Sequence, residues 1–302
     1  MKLAKSRPRA LKAGDVIRVV APGAGFRNEE LLAGVTYLEG QGFEVRYDRT
    51  IFERVRYLAG TDERRARELM AAIDDPEASA IFAARGGYGS QRLLPRLDPA
   101  RLAAHPKILL GFSDITVLLQ WAGQQADVVS FHGPLVTQMA AMAPRTERAL
   151  WAALSGGAPW TLDAPEAEAW REGRARGPLW GGSLKLLTNL VGTPWQPDLR
   201  GAVLLLEDVG EKPYQVDRML SHLVLSGVTS ALEGLVFGPF VGGGAPEEYQ
   251  TIVLEAFEGF RGPILGNFPI GHGEINLTVP LGVPVEIDAG ARQMRVLEAP
   301  VQ

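Results

Sequence analysis

Cysteine, net charge and long apolar runs are what this sequence has least of. It contains no cysteine, which excludes disulfide bonds, thiolate zinc sites and thiol nucleophiles together. Lys+Arg number 31 and Asp+Glu 35, so the formal charge is -4 and no strong positive field exists to gather nucleic-acid phosphates. No stretch approaches the roughly 20 apolar residues of a membrane helix. We therefore expect neither a nucleic-acid partner nor a membrane partner.

The amino-terminal segment also lacks the pattern of an export signal. It begins basic, but its apolar run is only about five residues long and is interrupted by Asp15 and Arg18. The sequence therefore predicts a cytoplasmic protein.

What the chain does contain is an alternation of apolar runs with segments of helical period. This alternation is typical of parallel strands buried on both faces by crossover helices, and it predicts an α/β fold. We expect residues 1–155 to form one doubly wound domain. Its predicted strands are Val16 to Val20, Phe43 to Tyr47, Ala80 to Ala84, Ile108 to Phe112 and Val128 to Phe131.

The chain changes character after the first domain. Residues 156–177 combine glycines and prolines with a mixed-charge stretch that has no apolar period, so we interpret them as a linker. Residues 178–302 then predict a smaller mixed α/β domain. Its strands are expected at Val203 to Leu206, Gly234 to Phe237, Val283 to Ile287 and Gln293 to Leu297, with helices at Tyr214 to Leu225 and Pro246 to Phe257.

Three polar residues follow apolar runs at the ends of predicted elements: Ser113, Glu207 and His272. In open α/β sheets, ligands bind beyond the carboxyl ends of the strands. Ser113 also precedes an apolar helical stripe, so it stands at a turn from strand to helix. Such a turn exposes the hydroxyl and places a backbone N–H at the positive end of the helix.

A serine hydroxyl becomes a nucleophile when an imidazole takes its proton and a carboxylate orients that imidazole. Glu207 and His272 have the right side chains for these two roles. From the residues alone His132, which also ends a strand, is an equal candidate for the base. Asp208 and Glu211 are alternatives for the acid, but Glu207 is preferred because it stands at the strand terminus, directly after four apolar positions.

Six sequence blocks carry a family resemblance: RGGYGSQRLLPRLD, KILLGFSDITVLL, SFHGP, GPLWGGSLKLLTNLVGTP, VLLLEDVGEKPYQVDRMLSHL and the GHG after PILGNFPI. In these blocks, and in their order over nearly the whole chain, the sequence resembles the LD-carboxypeptidases, serine peptidases of family S66. The resemblance implies a flavodoxin-like or amidotransferase-like first domain and a swivelling β/β/α second domain. It also implies that no cofactor is required.

The resemblance assigns a role to several residues. The family triad falls on Ser113, Glu207 and His272, which favours His272 over His132 as the base. The backbone N–H groups of Gly87 and Asp114 correspond to the family's oxyanion hole.

Two further residues are candidates for substrate binding. Arg85 follows a buried strand and precedes Gly86, where a guanidinium can hold a carboxylate in bidentate fashion. No metal site is expected, because there is no cysteine and the four histidines have no metal-binding spacing.

The function implied by the resemblance is hydrolysis of an L-to-D peptide bond that releases a terminal D-amino acid. The expected substrate is a small peptide, D-alanine being released from murein tetrapeptides in peptidoglycan recycling, and the family often forms homodimers. The alternatives are an amidase similar to the microcin C7 self-immunity proteins, which cleave aminoacyl-nucleotide analogues, and a small-molecule binder without catalytic activity.

Overall fold

The structure, a computed structural model, describes residues 2–4, 6–157 and 159–302. The chain divides into two compact units. The N-terminal unit comprises Ala4–Gly156, Thr278–Pro280 and Pro300–Gln302, and the C-terminal unit comprises Gly157–Leu277, Leu281–Ala299 and residues 2–3. Among the described residues, no helix combines the length and the apolar character needed to cross a membrane.

The N-terminal unit alternates strands with helices, as the sequence predicts. Its elements in chain order are β1 (Val16–Val20), α1 (Asn28–Gly40), β2 (Glu44–Arg46), α2 (Asp62–Asp74), β3 (Ala78–Ala83), α3 (Pro99–Ala104), β4 (Ile108–Gly111), α4 (Thr116–Gln124), β5 (Ser130–His132), α5 (Val136–Met139) and α6 (Pro144–Ser155). Every residue of β3 is buried, which is typical of a strand covered by helices on both faces.

Local sequence explains the connectors between these strands. Helix α2 begins after Thr61, whose side-chain oxygen accepts a hydrogen bond from Arg64 N at 3.2 Å. Asp62 and Glu63 occupy the first turn, where negative charge complements the positive end of the helix. The apolar side chains Leu69, Met70 and Ile73 of this helix are buried in the unit.

The C-terminal unit contains most of the remaining elements. In chain order these are β6 (Trp160–Asp163), β7 (Glu168–Arg171), β8 (Arg174–Ser183), α7 (Leu184–Leu190), β9 (Val203–Val209), α8 (Pro213–Leu225), β10 (Gly234–Val241), α9 (Pro246–Ala256), β11 (Ile264–Gly266), β12 (Val279–Leu281), β13 (Pro284–Asp288) and β14 (Gln293–Val296). Of these, β12 joins the sheet of the N-terminal unit, beside β5.

The two sheets confirm the α/β fold class. The first has the order β12-β5-β4-β3-β1-β2, and the neighbouring strands from β1 to β5 run parallel. Read from β2, the order 2-1-3-4-5 is that of flavodoxin-like folds. The second sheet is mixed and has the order β6-β14-β13-β8-β9-β10-β11-β7, with β8 to β11 parallel.

Residues 156–177, interpreted from the sequence as a linker, contribute strands to a sheet in the structure. This segment contains β6, β7 and the start of β8, all within the second sheet. Both β6 and β7 are edge strands, and each buries only one residue, Leu162 in β6 and Trp170 in β7. Such strands have no apolar run, so the sequence pattern that identifies central strands does not find them.

Candidate active site

Ser113 lies at a sharp turn between β4 and α4 in the N-terminal unit. A short 3-10 turn over Ser113–Ile115 joins the two elements, and the backbone of Ser113 has φ 62°. A left-handed conformation at a residue other than glycine is strained, and such strain is found at functional turns. The strand-turn-helix arrangement predicted from the sequence is present, and the Ser113 side chain is partly exposed.

A glycine loop, residues Arg85–Ser90 after β3, packs against this turn. A Cβ atom added to Gly86 would lie 2.9 Å from Ser113 Cβ and 3.1 Å from its Oγ, so only glycine permits this approach without a shift. The carbonyl of Gly86 accepts a hydrogen bond from Ala24 N at 2.9 Å. The next residue, Gly87, has φ 84° and packs against Ala24. The structure thus brings together Gly86 and Ser113, as the candidate site requires.

The side chain of Asp114 is an anchor for the same loop. It is fully buried, and its Oδ2 accepts a hydrogen bond from Ser90 N at 2.8 Å. Burial raises the pKa of this carboxyl, and hydrogen bonds from Ser90 and Gly89 oppose that rise. The carboxyl therefore connects the turn that bears Ser113 to the far end of the glycine loop.

Arg85 is exposed at the start of the glycine loop. Its Nη1 donates a hydrogen bond to the carbonyl of Gly25 at 2.8 Å, which fixes the side chain over the loop after β1. A guanidinium has five N–H donors, so this bond leaves Arg85 able to bind a carboxylate.

The C-terminal unit pairs Glu207 with His272. Glu207 lies in β9 and is fully buried, and its Oε2 is 2.6 Å from His272 Nδ1. The same oxygen accepts a hydrogen bond from His272 N at 3.2 Å. Two contacts from one residue to one carboxylate oxygen fix both the loop and the ring, and the contact at Nδ1 favours a proton on that nitrogen.

The loop that carries His272 is held by backbone geometry that the sequence did not reveal. Gly271 has φ 104°, and a Cβ at this position would collide with the Glu207 carboxylate. Gly271 N also donates to Asn276 Oδ1 at 2.9 Å. Asn276 is a residue that sequence reasoning missed, because a single polar residue in a loop carries no distinguishing signal.

The pKa values of the pair follow from burial and mutual contact. Burial raises the pKa of Glu207, and the hydrogen bond from His272 opposes it. For His272, burial lowers the pKa, but the hydrogen bond and charge of Glu207 outweigh it and hold the pKa above its ordinary value. The ring is therefore more basic than a free imidazole, which is the property that a general base needs.

The alternative candidates for the acid, Asp208 and Glu211, and for the base, His132, have other neighbours. Asp208 accepts hydrogen bonds from Ser183 Oγ at 3.0 Å and from Lys185 N at 2.8 Å. Glu211 pairs with Lys185 Nζ at 2.6 Å. His132 is fully buried at the end of β5, with its ring centroid 5.7 Å from that of Phe112. Among the described residues, no three His, Asp or Glu side chains are grouped to hold a metal ion.

The fold and these side chains define a class: an α/β protein with a serine at a strand-to-helix turn in one unit and a buried carboxylate–histidine pair in the other. The profile of the LD-carboxypeptidase N-terminal domain matches residues 17–133, and that of the C-terminal domain matches residues 176–287. The chain therefore belongs to the LD-carboxypeptidase family, the S66 peptidases.

Two relatives have similar length. The putative carboxypeptidase slr1534 of Synechocystis sp. is 36% identical over 298 residues, which cover 96% of this chain and 97% of the relative. The murein tetrapeptide carboxypeptidase of Pseudomonas aeruginosa is 34% identical over 282 residues, which cover 88% of this chain and 91% of the relative.

Two solved structures are also similar. The microcin C7 self-immunity protein MccF in complex with aspartyl sulfamoyl adenosine has a TM-score of 0.92 at 25% identity, over 99% of this chain and 100% of that chain. The muramoyltetrapeptide carboxypeptidase from Oxalobacter formigenes has a TM-score of 0.82 at 28% identity, over 94% of this chain and 99% of that chain.

Proposed function

We propose that this protein is a serine-type LD-carboxypeptidase that hydrolyses an L-to-D peptide bond and releases a terminal D-amino acid. The observation that carries the proposal is the contact between buried Glu207 and His272 Nδ1, at 2.6 Å. A carboxylate on one nitrogen of an imidazole prepares the other nitrogen to accept a proton, as a general base must do. The relative from Pseudomonas aeruginosa, a murein tetrapeptide carboxypeptidase, supports the same reaction.

The proposed reaction begins with attack by Ser113. His272 Nε2 takes the proton from Ser113 Oγ as Oγ forms a bond to the scissile carbonyl carbon. The carbonyl oxygen becomes an oxyanion, which the N–H groups of Gly87 and Asp114 stabilise. Glu207 stabilises the imidazolium that has formed and keeps the ring oriented.

The second half of the reaction restores the enzyme. His272 donates its proton to the leaving nitrogen as the C–N bond breaks, which releases the D-amino acid and leaves an ester on Ser113. Water then loses a proton to His272 and attacks the ester carbonyl. When the C–Oγ bond breaks, His272 returns the proton to Ser113.

The proposed substrate is a murein tetrapeptide, from which D-alanine is released in peptidoglycan recycling. Such a peptide ends in a free carboxylate, and Arg85 is proposed to bind a carboxylate of this kind beside the glycine loop. Because Gly86 has no side chain, it leaves space beside Ser113 in which the scissile carbonyl of the substrate is proposed to lie.

A second candidate function is cleavage of aminoacyl-nucleotide analogues. The structural similarity to MccF in complex with aspartyl sulfamoyl adenosine, with a TM-score of 0.92, favours it. The two functions share the proposed nucleophile and base, so only the substrate distinguishes them.

A direct comparison of substrates tests the proposal. The purified protein is incubated with murein tetrapeptides that carry lysine or diaminopimelate at the third position and, separately, with aspartyl sulfamoyl adenosine. We expect D-alanine release from at least one tetrapeptide, measured by chromatography and mass spectrometry. Cleavage of the nucleotide analogue alone would assign the second function, and binding without turnover of either compound would indicate a protein without catalytic activity.

Gly86→Ala is expected to lower kcat for D-alanine release by about 10- to 100-fold, since a shift of about 1 Å at a reacting group has effects of this size. The new methyl group would lie 2.9 Å from Ser113 Cβ, so the serine or the loop must move. Gly40→Ala is the matched control, because a Cβ at Gly40 meets no heavy atom within 4 Å in the described part of the chain. Equal kcat values for the two variants would contradict the prediction.

A further inference from the structure

A buried arginine donates hydrogen bonds to the backbone of the glycine loop. Arg65 of α2 has no exposed surface, and its Nη1 donates hydrogen bonds to the carbonyl of Gly89, at 3.0 Å, and to the carbonyl of Pro22. Gly89 belongs to the loop after β3, and Pro22 to the loop after β1. One guanidinium therefore joins two loops at the carboxyl ends of neighbouring parallel strands.

The charge of Arg65 is balanced within the same unit. Its Nη2 donates to Asp62, which also receives hydrogen bonds from Arg92 at 2.7 and 2.9 Å. The bond from Arg92 leads the causes that hold the pKa of Asp62 below its ordinary value, so Asp62 stays ionised beside the buried cation. A buried cation without such a partner would be strongly destabilising. This arrangement keeps a charged, rigid fork of N–H donors beneath the loop.

The backbone of the loop approaches Arg65 closely at Gly89. Gly89 has φ 132°, and a Cβ there would lie 2.8 Å from Arg65 Nη1 and 2.6 Å from Leu58 Cδ2. The backbone of Gly89 thus lies directly on the guanidinium, an approach that a side chain would prevent.

The remaining bonds fix both ends of the loop. At the start, the Gly86 carbonyl accepts from Ala24 N at 2.9 Å. At the end, Ser90 N donates to Asp114 Oδ2 at 2.8 Å. Gly87, between these ends, is the proposed oxyanion donor. The Gly89 carbonyl, between Gly87 and Ser90, accepts hydrogen bonds from Arg65 Nη1 at 3.0 Å and from Arg92 N at 3.2 Å, and only the Arg65 guanidinium also bonds the carbonyl of Pro22.

We infer that Arg65 is a positioning residue that holds the Gly87 N–H in place to stabilise the oxyanion. This inference rests on the proposed function, in which Gly87 is an oxyanion donor. Because an oxyanion donor acts on the transition state more than on the bound substrate, a displaced loop lowers kcat and leaves KM nearly unchanged. Loss of a residue that only stabilises the fold would not lower kcat selectively while leaving KM nearly unchanged.

The chain offers a matched control in the adjacent residue. Arg64 lies in the same helix with 4% of its side chain exposed, and it pairs with Glu68 at 2.9 Å and with the carbonyl of Ala59. Arg64→Met removes an equally buried guanidinium but leaves the bonds to Gly89 and Ser90 in place. It therefore measures the effect of losing a buried arginine from α2 as such.

The experiment compares Arg65→Met, Arg65→Lys and Arg64→Met. Steady-state kinetics are measured on the murein tetrapeptide, together with the affinity for a phosphonate analogue of the tetrahedral intermediate. We expect Arg65→Met to lower kcat by about 30- to 100-fold and weaken phosphonate binding by a similar factor, with KM changed by less than about 2-fold. Arg65→Lys, which retains the charge, should have an intermediate kcat, and Arg64→Met should keep kcat within about 3-fold of the unsubstituted protein.

Hydrogen exchange of the backbone gives a readout that does not depend on turnover. Exchange at Gly87–Gly89 should become faster in Arg65→Met and Arg65→Lys but not in Arg64→Met. If Arg65→Met does not fold, Arg65→Lys is compared with Arg64→Met in every measurement. Equal kcat values in the Arg65 and Arg64 variants, a change confined to KM, or unchanged exchange in the loop would overturn the inference. Absence of D-alanine release by the unsubstituted protein would instead overturn the proposed function, and hydrogen exchange would still test whether Arg65 holds the loop.

Discussion

Replacement of Ser113 by alanine is expected to abolish release of the D-amino acid, with a loss in kcat of about 10⁴- to 10⁶-fold. The substitution removes the only atom that is proposed to form a bond to the scissile carbon. Alanine can occupy the same left-handed turn, at similar strain, so the fold and the substrate site should persist. The measurement is D-alanine release by the variant, with the free energy of unfolding from a denaturant titration.

Ser155→Ala is the control for this variant. The Ser155 hydroxyl is exposed and donates to the carbonyl of Trp151 at 2.7 Å, so its removal tests the loss of a serine hydroxyl elsewhere in the N-terminal unit. We expect activity close to that of the unsubstituted protein. Substantial D-alanine release by Ser113→Ala, after traces of unsubstituted enzyme are excluded, would remove Ser113 from the mechanism. Substrate binding by Ser113→Ala without turnover would support its assignment as the nucleophile.

Glu207→Gln is expected to lower kcat by about 10³- to 10⁴-fold and to shift the pH profile. Glutamine has nearly the same shape as glutamate but no negative charge, so it neither stabilises the imidazolium nor fixes the proton on His272 Nδ1. Because the hydrogen bond and charge of Glu207 hold the pKa of His272 above its ordinary value, their removal should lower that pKa.

The direction of the pH shift follows from the protonation state in which His272 acts as a base. A general base must be neutral, so kcat/KM should rise with pH through the pKa of His272 in the free enzyme. In Glu207→Gln this rise should occur at lower pH than in the unsubstituted protein. Glu211→Gln is the matched control, since Glu211 pairs with Lys185 at 2.6 Å. This role for Glu207 would be contradicted if the rise of kcat/KM with pH occurred at the same pH in Glu207→Gln as in the unsubstituted protein, or if it shifted equally in Glu211→Gln.

The central strands illustrate what can be predicted from a sequence. The apolar runs at β1 and β4 are recognised because a parallel strand buried on both faces needs apolar side chains at successive positions. The cap of α2 at Thr61 is equally local, since the side chain bonds a backbone N–H only three residues away. By contrast, β6 and β7 each bury one residue, and their pairing depends on strands far away in the chain.

In the candidate site, too, some features were predictable from the local sequence and others depended on residues far apart in the chain. The position of Ser113 between a strand and a helix was predictable, because both flanking patterns lie within about a dozen residues of it. From the residues alone, the choice between His272 and His132 remained open, whereas Glu207 was preferred over Asp208 because it ends an apolar run. The structure pairs Glu207 with His272 across 65 residues of chain, a contact that no local pattern encodes.

By itself, then, the sequence determined the α/β class, the positions of the central buried strands along the chain and the turn that carries Ser113, because these depend on neighbours along the chain. Only the tertiary structure showed that the Glu207 carboxylate contacts His272, and only the tertiary structure showed that Arg65 is buried against the glycine loop. Along the chain, Arg65 belongs to a run of charged residues that resembles the solvent-exposed face of a helix. Only folding brings the carbonyls of Pro22 and Gly89 to its guanidinium, and burial then turns an ordinary charged residue into a support for the loop.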